Sequence, residues 1–351
     1  MNSRRTPAVE ADLARQAAAL GERVRASGLY THEVDEFEVA RQVHRRVAPE
    51  LGLADLGSLT TPESRNIVRK VQRPDGSTAV LKVIGNLREP GEAEALRAWS
   101  ACGLPCVRPL TWGDVLLVPG AGPPVASYVL TEYVDRPVLV VPDGTSLAER
   151  ERITCRLTLC VSAFHEAPVR VPDRARSWVD RVGAHLRWTL PLIRRERLAE
   201  PFGWQGKLEA ACARESRLLH GDASGANALV LGDGSLVLLD PPGAIRGPRE
   251  ADIGHIVSYV ACVGSRTAEE KVADIDPLLR TACEASPSLD PAAVALFAGV
   301  NLLTWAGYFL VGHVNRNAGS SGVGGDSPRP LDQASAYLAG AAHFLGDGDH
   351  G

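Results

Sequence analysis

The spacing of apolar residues along the chain changes character near residue 56. Before this point, residues 8–27 and 34–50 carry apolar side chains at helical intervals with charged residues between them. After it come two short runs rich in β-branched residues, NIVRKVQ (66–72) and STAVLKVIG (77–85), which flank the turn sequence RPDG. We predict a helical N-terminal extension over residues 1–50, followed by a β-hairpin.

The segment after the hairpin continues as one helix and one strand. GEAEALRAWSACG (91–103) has helical spacing and ends at a glycine, Gly103, whereas ASYVLTEYV (126–134) alternates as a strand does. Residues 51–134 therefore read as a small lobe in which the order of elements is hairpin, helix, strand.

Beyond residue 135 the helical pattern dominates. Ser146 and Glu149 have the S-x-x-E spacing of a capping box at the start of the first helix of this region. The segment around residues 218–240 is the one β-structured insertion that we predict here, so residues 135–351 form a larger, mostly helical lobe in an α+β protein. Further helices are predicted at 175–199, 205–215, 250–264, 268–285, 292–315 and 331–345, with a Gly/Ser-rich loop at 317–328.

One segment has the length of a membrane span. Residues 291–315 contain no Asp, Glu, Lys or Arg, and an apolar helix of this length could cross a bilayer. Its many Ala and Gly residues and the polar Asn301 and Thr304 at its middle favour the central buried helix of a lobe. A membrane span remains the alternative interpretation.

Composition and charge indicate which kinds of partner and cellular compartment to expect. The formal net charge of −4 provides no basic field to hold nucleic acid, which argues against DNA or RNA as a partner. The seven cysteines include no C-x-x-C pair of the kind found in structural zinc sites, and reduced thiols in a cytoplasm are the simplest interpretation. The N-terminus lacks the pattern of a signal peptide. We expect a cytoplasmic protein.

The densest group of chemically capable residues is LLHGDASGANALV (218–230), followed by SLVLLD ending at Asp240. Asp222 is placed to accept the proton of an attacking hydroxyl, and Asn227 and Asp240 offer the hard oxygen ligands that Mg²⁺ prefers. The alternative is that these residues only form turns between strands, where Asp, Asn and Gly are common for backbone reasons.

A second candidate group precedes it in the small lobe. Lys82 lies on a predicted strand and Glu92 on the helix that follows, and such a pair can hold an ammonium against the α and β phosphates of a nucleotide. The alternative is a solvated surface lysine. The chain contains no G-x-x-x-x-G-K-[ST] motif, which excludes a P-loop kinase.

These segments together carry a resemblance to a known family. HGDASGAN followed by LLD resembles the catalytic segment H-x-D-x-x-x-x-N of the aminoglycoside phosphotransferase family, relatives of protein kinases that phosphorylate small molecules. Supporting segments follow in the same order over residues 56–260. The chain departs from the family at DPPG (240–243), where an aromatic residue is common, and its Asp-Pro pair is closer to the streptomycin and hydroxyurea phosphotransferase branch. The supporting segments are SRNIVRKV, LKV, GEAEALRAW, YVLTEYV and FHEAPV.

The resemblance implies a protein-kinase-like bilobal fold, with the nucleotide between a small β-rich N-lobe (51–134) and a larger helical C-lobe (135–351). It implies ATP as the nucleotide, with GTP left open, and Mg²⁺ as the metal. The implied roles are Asp222 for catalysis; Asn227 and Asp240 for metal; Lys82, Glu92, Ser64, Glu132 and Val134 for the nucleotide; and His220 and Asp252 for support of the site.

The resemblance also implies a small-molecule hydroxyl as the acceptor. We expect an antibiotic, either an aminoglycoside or another glycosylated compound, with Glu250 and His255 as acceptor-site candidates and the tryptophans of the larger lobe as stacking candidates. The alternatives are a metabolic kinase for a sugar, choline or amino alcohol, and a catalytically silent kinase-like binding protein. A protein kinase is disfavoured, because Asp240 is followed too closely by the predicted helix at Glu250 for an activation segment. The oligomeric state is left open.

Overall fold

The chain divides into two compact units. In this computed structural model the first unit comprises residues 1–97 and 107–135, and the second comprises 98–106 and 136–351. The predicted helix at 8–27 and nearly all of the predicted loop at 317–328 lie outside the described residues. The structure describes residues 34–60, 66–84, 91–115, 126–173, 175–198, 203–214, 216–264, 266–317 and 330–345.

The first unit is built on a five-stranded antiparallel sheet in the order β1-β2-β3-β5-β4. The predicted hairpin is confirmed as β2 and β3, and the predicted strand at 126–134 as β5. The helix α1 packs its apolar face on the sheet, because Ala40, Val43 and Val47 share one buried cluster with Val71 and Leu81. The elements are α1 Val34–Glu50, β1 Ala54–Ser58, β2 Ile67–Gln72, β3 Thr78–Ile84, α2 Glu92–Ala101, β4 Pro109–Val115 and β5 Ala126–Glu132, and the end of α2 from residue 98 belongs to the second unit.

Two strands of this sheet were not predicted. β1 and β4 are the two edge strands, and neither alternates cleanly between buried and exposed side chains. β1 is exposed over most of its length and contains an irregularity between Asp55 and Gly57, while β4 begins at a proline. An edge strand has no partner on one side, so burial places weaker demands on its sequence.

The second unit consists mainly of helices. Ser146 caps α3 as predicted, since its side chain accepts a hydrogen bond from the backbone of Glu149. The helix predicted at 268–285 is instead two helices, because Pro277 has no N–H to donate and cannot follow a preceding helical turn without a clash. The helices are α3 Leu147–Glu166, α4 Trp178–Arg195, α5 Trp204–Arg214, α6 Glu250–Cys262, α7 Ala268–Ala273, α8 Ile275–Ala285, α9 Pro291–Asn317 and α10 Pro330–Leu345.

Two small sheets interrupt these helices. One has the order β6-β10-β7, and the other pairs β8 with β9 in antiparallel register. The prediction of a single β insertion at 218–240 was wrong, because β6 and β10 lie outside it and are too short to show an alternating pattern. The strands are β6 Arg176–Ser177, β7 Arg217–Leu219, β8 Ala228–Val230, β9 Leu236–Leu238 and β10 Ile245–Gly247.

The long apolar helix α9 packs against α4, α6 and α10. Its stretch Pro291–Leu310 is long and apolar enough to cross a membrane, but 72% of that stretch is buried inside the fold. The packing against α6 is close, since a Cβ at Gly254 would lie 2.6 Å from the Cβ of Phe297. Burial against neighbouring helices therefore accounts for the absence of charged residues, as expected for a core helix.

Candidate active site

The loop between β7 and β8 is held by a buried carboxylate from α6. Asp252, whose side chain is 1% exposed, accepts hydrogen bonds from the backbone N–H groups of His220 (2.8 Å) and Gly221 (2.7 Å) and from Nε2 of His165 (2.9 Å). Burial alone would raise the pKa of Asp252, but these donors and the neighbouring histidines outweigh it and hold the pKa below its usual value. Asp252 therefore ties the loop to the helical core.

His220 connects this loop to the strand that leads to Asp240. Its Nε2 donates to the carbonyl of Leu239 at 2.8 Å, and its Nδ1 accepts from the backbone N–H of Asp222 at 3.3 Å. The ring stacks on the indole of Trp99 at a centroid distance of 5.7 Å. Burial lowers the pKa of His220, which favours the neutral tautomer that this bonding requires. The contacts are those of a structural brace.

Asp222 lies at the centre of the loop with both carboxylate oxygens engaged. Nδ2 of Asn227 donates to Oδ2 at 3.0 Å and to the Asp222 backbone carbonyl at 3.0 Å. Nε2 of His255 lies 3.0 Å from Oδ1, close enough for an ion pair but without the alignment of a good hydrogen bond. The Asp222 side chain is still 43% exposed, so a substrate can reach it.

The electrostatic surroundings keep Asp222 ionised. Partial burial would raise its pKa, but the contact and charge of His255, followed by the charges of Arg181 and His220, lower the pKa well below its usual value. Arg181 extends from α4 and donates to the carbonyl of Gly221. An Asp with so low a pKa is a weak base, suited to orienting a hydroxyl and accepting its proton only late in the reaction.

Two glycines allow the loop to take this path. Gly221 has a φ of +78°, and a Cβ there would lie 2.5 Å from Cδ1 of Ile245. At Gly225 a Cβ would lie 2.2 Å from the carbonyl oxygen of Leu139. Neither position tolerates a larger side chain without movement of the loop.

Asn227 and Asp240 lie at the same end of the β8–β9 pair. Asn227 precedes β8 and Asp240 follows β9, and the N–H of Leu239 donates to the carbonyl of Asn227 at 2.8 Å. Because the amide nitrogen of Asn227 faces Asp222, its Oδ1 is the atom suited to bind a cation. Asp240 has a left-handed backbone with a φ of +56°, an unfavourable conformation that commonly persists at functional sites.

The residues present fit a magnesium ion held largely by phosphate and water. Among the described residues no group of three or more His, Cys, Asp and Glu side chains could bind a metal. Mg²⁺ in nucleotide-dependent enzymes is commonly held by one or two carboxylates together with substrate phosphates. One amide oxygen and one carboxylate at this position match that chemistry.

The first unit contains the predicted Lys82–Glu92 pair. Nζ of Lys82 on β3 lies 2.7 Å from Oε2 of Glu92 at the start of α2, and the two side chains are 9% and 6% exposed. The interpretation of Lys82 as a solvated surface lysine is therefore wrong. A buried ammonium paired with one carboxylate is fixed in position and can face a phosphate.

Two of the remaining nucleotide candidates, Glu132 and Val134, lie on or just after β5. Glu132 is 38% exposed, and its carboxylate accepts from the backbone N–H of Arg108 at 2.9 Å. The backbone of Glu132 also pairs with Arg108, and Val134 is half-buried just beyond the strand. Ser64 lies outside the described residues.

The two acceptor-site candidates, His255 and Glu250, contact different parts of the structure. His255 contacts Asp222, whereas Oε1 of Glu250 lies 3.3 Å from Nε of Arg249 and accepts from the backbone N–H of Asp290 at 3.4 Å. Among the predicted stacking residues, Trp178 and Trp204 are core residues and each is 3% exposed. Trp305 is half-buried, and its ring lies 6.4 Å from that of Tyr308, which is 39% exposed.

Sequence reasoning missed two residues that contact the loop. Arg181 reaches Gly221 from α4, and the ring of Tyr259 on α6 lies beside the loop, with its Cε1 3.7 Å from a Cβ built at Gly225. Tyr259 could have been found, because Asp252, His255 and Tyr259 have the i, i+3, i+7 spacing that places three side chains on one face of a helix. Arg181 has no comparable signal in its local sequence.

A sheet-rich unit with a buried Lys–Glu pair, together with a helical unit that carries an H-x-D-x-x-x-x-N loop, defines the protein-kinase-like class of folds. A sequence profile described as "Phosphotransferase enzyme family" (APH) matches residues 58–281, more than half of the chain. The chain belongs to this family. It is a small-molecule phosphotransferase that acts on hydroxyl groups, which confirms the predicted fold and enzyme class.

Solved structures show the same fold at low sequence identity. A crystal structure of an aminoglycoside phosphotransferase from Ralstonia eutropha is 16% identical, with 87% of this chain and 98% of that chain covered and a TM-score of 0.55. The amicoumacin kinase hAmiN, in complex with AMP-PNP, is 14% identical, with coverages of 87% and 92% and a TM-score of 0.52. A thermostable mutant of aminoglycoside phosphotransferase APH(4)-Ia, in complex with ADP and hygromycin B, is 14% identical, with coverages of 88% and 99% and a TM-score of 0.52. A search of curated protein sequences gave no match.

Proposed function

We propose that this protein transfers the γ-phosphoryl group of ATP to a hydroxyl of a small-molecule antibiotic, an aminoglycoside or another glycosylated compound. The observation that supports this most directly is Asp222, which is held ionised with each carboxylate oxygen engaged and is close in the chain to Asn227 and Asp240. Solved relatives of similar fold bind adenine nucleotides together with hygromycin B or amicoumacin.

The predicted nucleotide and metal residues would have the following roles in this reaction. Lys82, fixed by Glu92, would neutralise the α and β phosphates. Oδ1 of Asn227 and the carboxylate of Asp240 would hold Mg²⁺, which supplies positive charge to the phosphates when bound. Backbone groups at Glu132 and Val134 would contact the base.

Asp222 would orient the acceptor hydroxyl for in-line attack. A bond forms between the acceptor oxygen and the γ phosphorus, the bond from that phosphorus to the bridging oxygen of ADP breaks, and the hydroxyl proton passes to Asp222. Because the pKa of Asp222 is lowered, this proton transfers late, and most of the rate enhancement comes from positioning and electrostatics.

The test is an ADP-release assay with Mg-ATP against glycosylated antibiotics and a matched set of sugars, choline and amino alcohols, with mass spectrometry of the products. Addition of one phosphate to an antibiotic is the expected result. Turnover of a primary metabolite alone would support a metabolic kinase. Mg-ATP binding without turnover on any compound would support a silent binding protein, and absence of Mg-ATP binding would refute the proposal.

Two substitutions test the assigned roles. Asp222→Asn should leave the affinity for Mg-ATP nearly unchanged and lower kcat by at least about 100-fold, since it removes the acceptor of the proton. Unchanged turnover would remove Asp222 as the base.

Asp240→Ala should weaken the binding of Mg-ATP more than that of metal-free ATP, because it removes a ligand of the metal. Titrations with and without Mg²⁺ measure the difference. Equal losses in the two titrations would show that the metal assignment is wrong.

A further inference from the structure

One face of α6 contacts the catalytic loop at three successive points. Asp252 binds the backbone of His220 and Gly221, His255 contacts the carboxylate of Asp222, and the ring of Tyr259 lies beside the loop at Gly225. The two outer contacts are with the main chain of the loop. Only the middle contact, that of His255, reaches a side chain that takes part in the proposed reaction.

We propose that His255 is a positioning residue that fixes the orientation of the Asp222 carboxylate, an inference that rests on the proposed function. Nε2 of His255 lies 3.0 Å from Oδ1 of Asp222, and Nδ2 of Asn227 lies 3.0 Å from Oδ2. The two contacts come from different elements and engage different oxygens. Together they oppose rotation about χ2, a torsion that is otherwise broad in Asp.

The histidine is itself held in place by α6. Its ring stacks on that of Tyr259 at a centroid distance of 6.5 Å and an angle of 22°, and its side chain is 20% exposed. The Tyr259 ring in turn lies against the loop, since a Cβ at Gly225 would be 3.7 Å from its Cε1. A ring supported in this way can act as a fixed reference for a neighbouring carboxylate, whereas a mobile surface histidine cannot.

The other groups that face Asp222 do not replace this contact. Arg181 binds the carbonyl of Gly221, and His220 accepts from the backbone N–H of Asp222. The charge of Arg181 also acts on the Asp222 carboxylate, but these two hydrogen bonds reach the main chain. Loss of His255 should therefore remove the contact at Oδ1 and leave the carboxylate less firmly oriented.

The expected consequence is a loss in kcat without a loss in nucleotide affinity. In-line transfer depends on the position of the attacking oxygen, and a displacement of about 1 Å can cost on the order of 100-fold in rate. His255 is not among the residues proposed to bind the nucleotide. Removal of its contact should lower kcat by about 10- to 100-fold and leave KM for Mg-ATP within about 2-fold.

The test compares His255→Phe, which keeps a ring for stacking on Tyr259 but has no nitrogen to contact Asp222, with His255→Gln, which keeps a side-chain N–H group. His343→Phe is the matched control, because His343 pairs with Asp276 at the surface at a distance of 3.6 Å. The activity measured is hydrolysis of Mg-ATP with water as the acceptor, since Asp222 would orient the attacking water in the same way. Calorimetric titration with Mg-ATP and thermal melting accompany each variant.

The proposal expects a large loss of kcat in His255→Phe, substantial recovery in His255→Gln and no change in His343→Phe. Unchanged hydrolysis in His255→Phe would overturn it and leave His255 as a contact for the acceptor. A crystal structure of His255→Phe provides a readout that does not depend on activity. A rotated Asp222 carboxylate is expected there, and a carboxylate in its original orientation would overturn the proposal.

Failure of the proposed function gives a different pattern. Wild-type protein that does not bind Mg-ATP would refute the phosphotransferase reaction with ATP, whatever the variants do. If His255→Phe fails to fold, His255→Gln carries the decision, since its kcat should stay within about 10-fold of wild type and a larger loss with intact folding would contradict the role of the donor.

Discussion

Replacement of Asp252 by alanine should destabilise the second unit more than most single substitutions. The carboxylate is 1% exposed and accepts from two backbone N–H groups of the catalytic loop and from His165. Truncation of Asp252 to alanine leaves these three donor groups buried and removes the carboxylate that accepts their hydrogen bonds. Breaking a buried, charged interaction by removal of one partner costs about 3–5 kcal/mol, and we expect a loss within that range.

The assay is equilibrium unfolding in urea, followed by tryptophan fluorescence, because Trp99 stacks on His220 within the same unit and reports its packing. Asp276→Ala is the matched control, since the Asp276 side chain is 62% exposed and its loss should cost no more than about 0.5 kcal/mol. A loss below about 1 kcal/mol in Asp252→Ala would refute the reasoning that these hydrogen bonds hold the loop.

The pH dependence of this difference provides a second check. The pKa of Asp252 is lowered in the folded state, so its contribution to stability is present above the unfolded pKa and is lost as the pH falls through the folded pKa. The difference in stability between wild type and Asp252→Ala should therefore be largest at neutral pH and decrease in acid. A difference that is constant or grows towards low pH would contradict an ionised Asp252.

Two further substitutions test the loop and the nucleotide site. Gly225→Ala should displace the loop and reduce turnover by at least about 10-fold, because its Cβ would lie 2.2 Å from the carbonyl of Leu139; Gly232→Ala, where nothing lies within 4 Å, should be silent in the same kinetic assay. Glu92→Gln should weaken binding of Mg-ATP about 10-fold, since Lys82 would lose its buried ionic partner; unchanged affinity in calorimetric titration would show that the pair does not position Lys82 for the phosphates.

The elements that were predicted well are those in which burial demands a regular pattern. β2 and β3 are central strands, and their β-branched runs and intervening turn were sufficient to predict the hairpin. β1 and β4 are edge strands, and β6 and β10 have two and three residues, so their sequences carry little periodic signal. The sequence therefore predicted the centre of each lobe better than the boundaries of its sheets.

The candidate site shows the same distinction between local and distant information. Asp222, Asn227 and Asp240 lie within one short segment, where order and spacing alone suggested their chemistry. Arg181 reaches the loop from a helix that begins 44 residues before Asp222, and nothing in the intervening sequence indicates that approach. Contacts of this kind depend on how helices pack, which a single sequence does not specify.

The contacts between α6 and the catalytic loop could be predicted from the sequence only in part. Residues 252, 255 and 259 share a helix face by spacing alone, but only the packed structure shows that this face meets the loop. A rigid helix that contacts the loop at Gly221, Asp222 and Gly225 sets the distances between those points. Displacement of α6 would therefore move the backbone and the catalytic carboxylate together, so we expect substitutions in the helical core that shift α6 to lower turnover without touching a substrate.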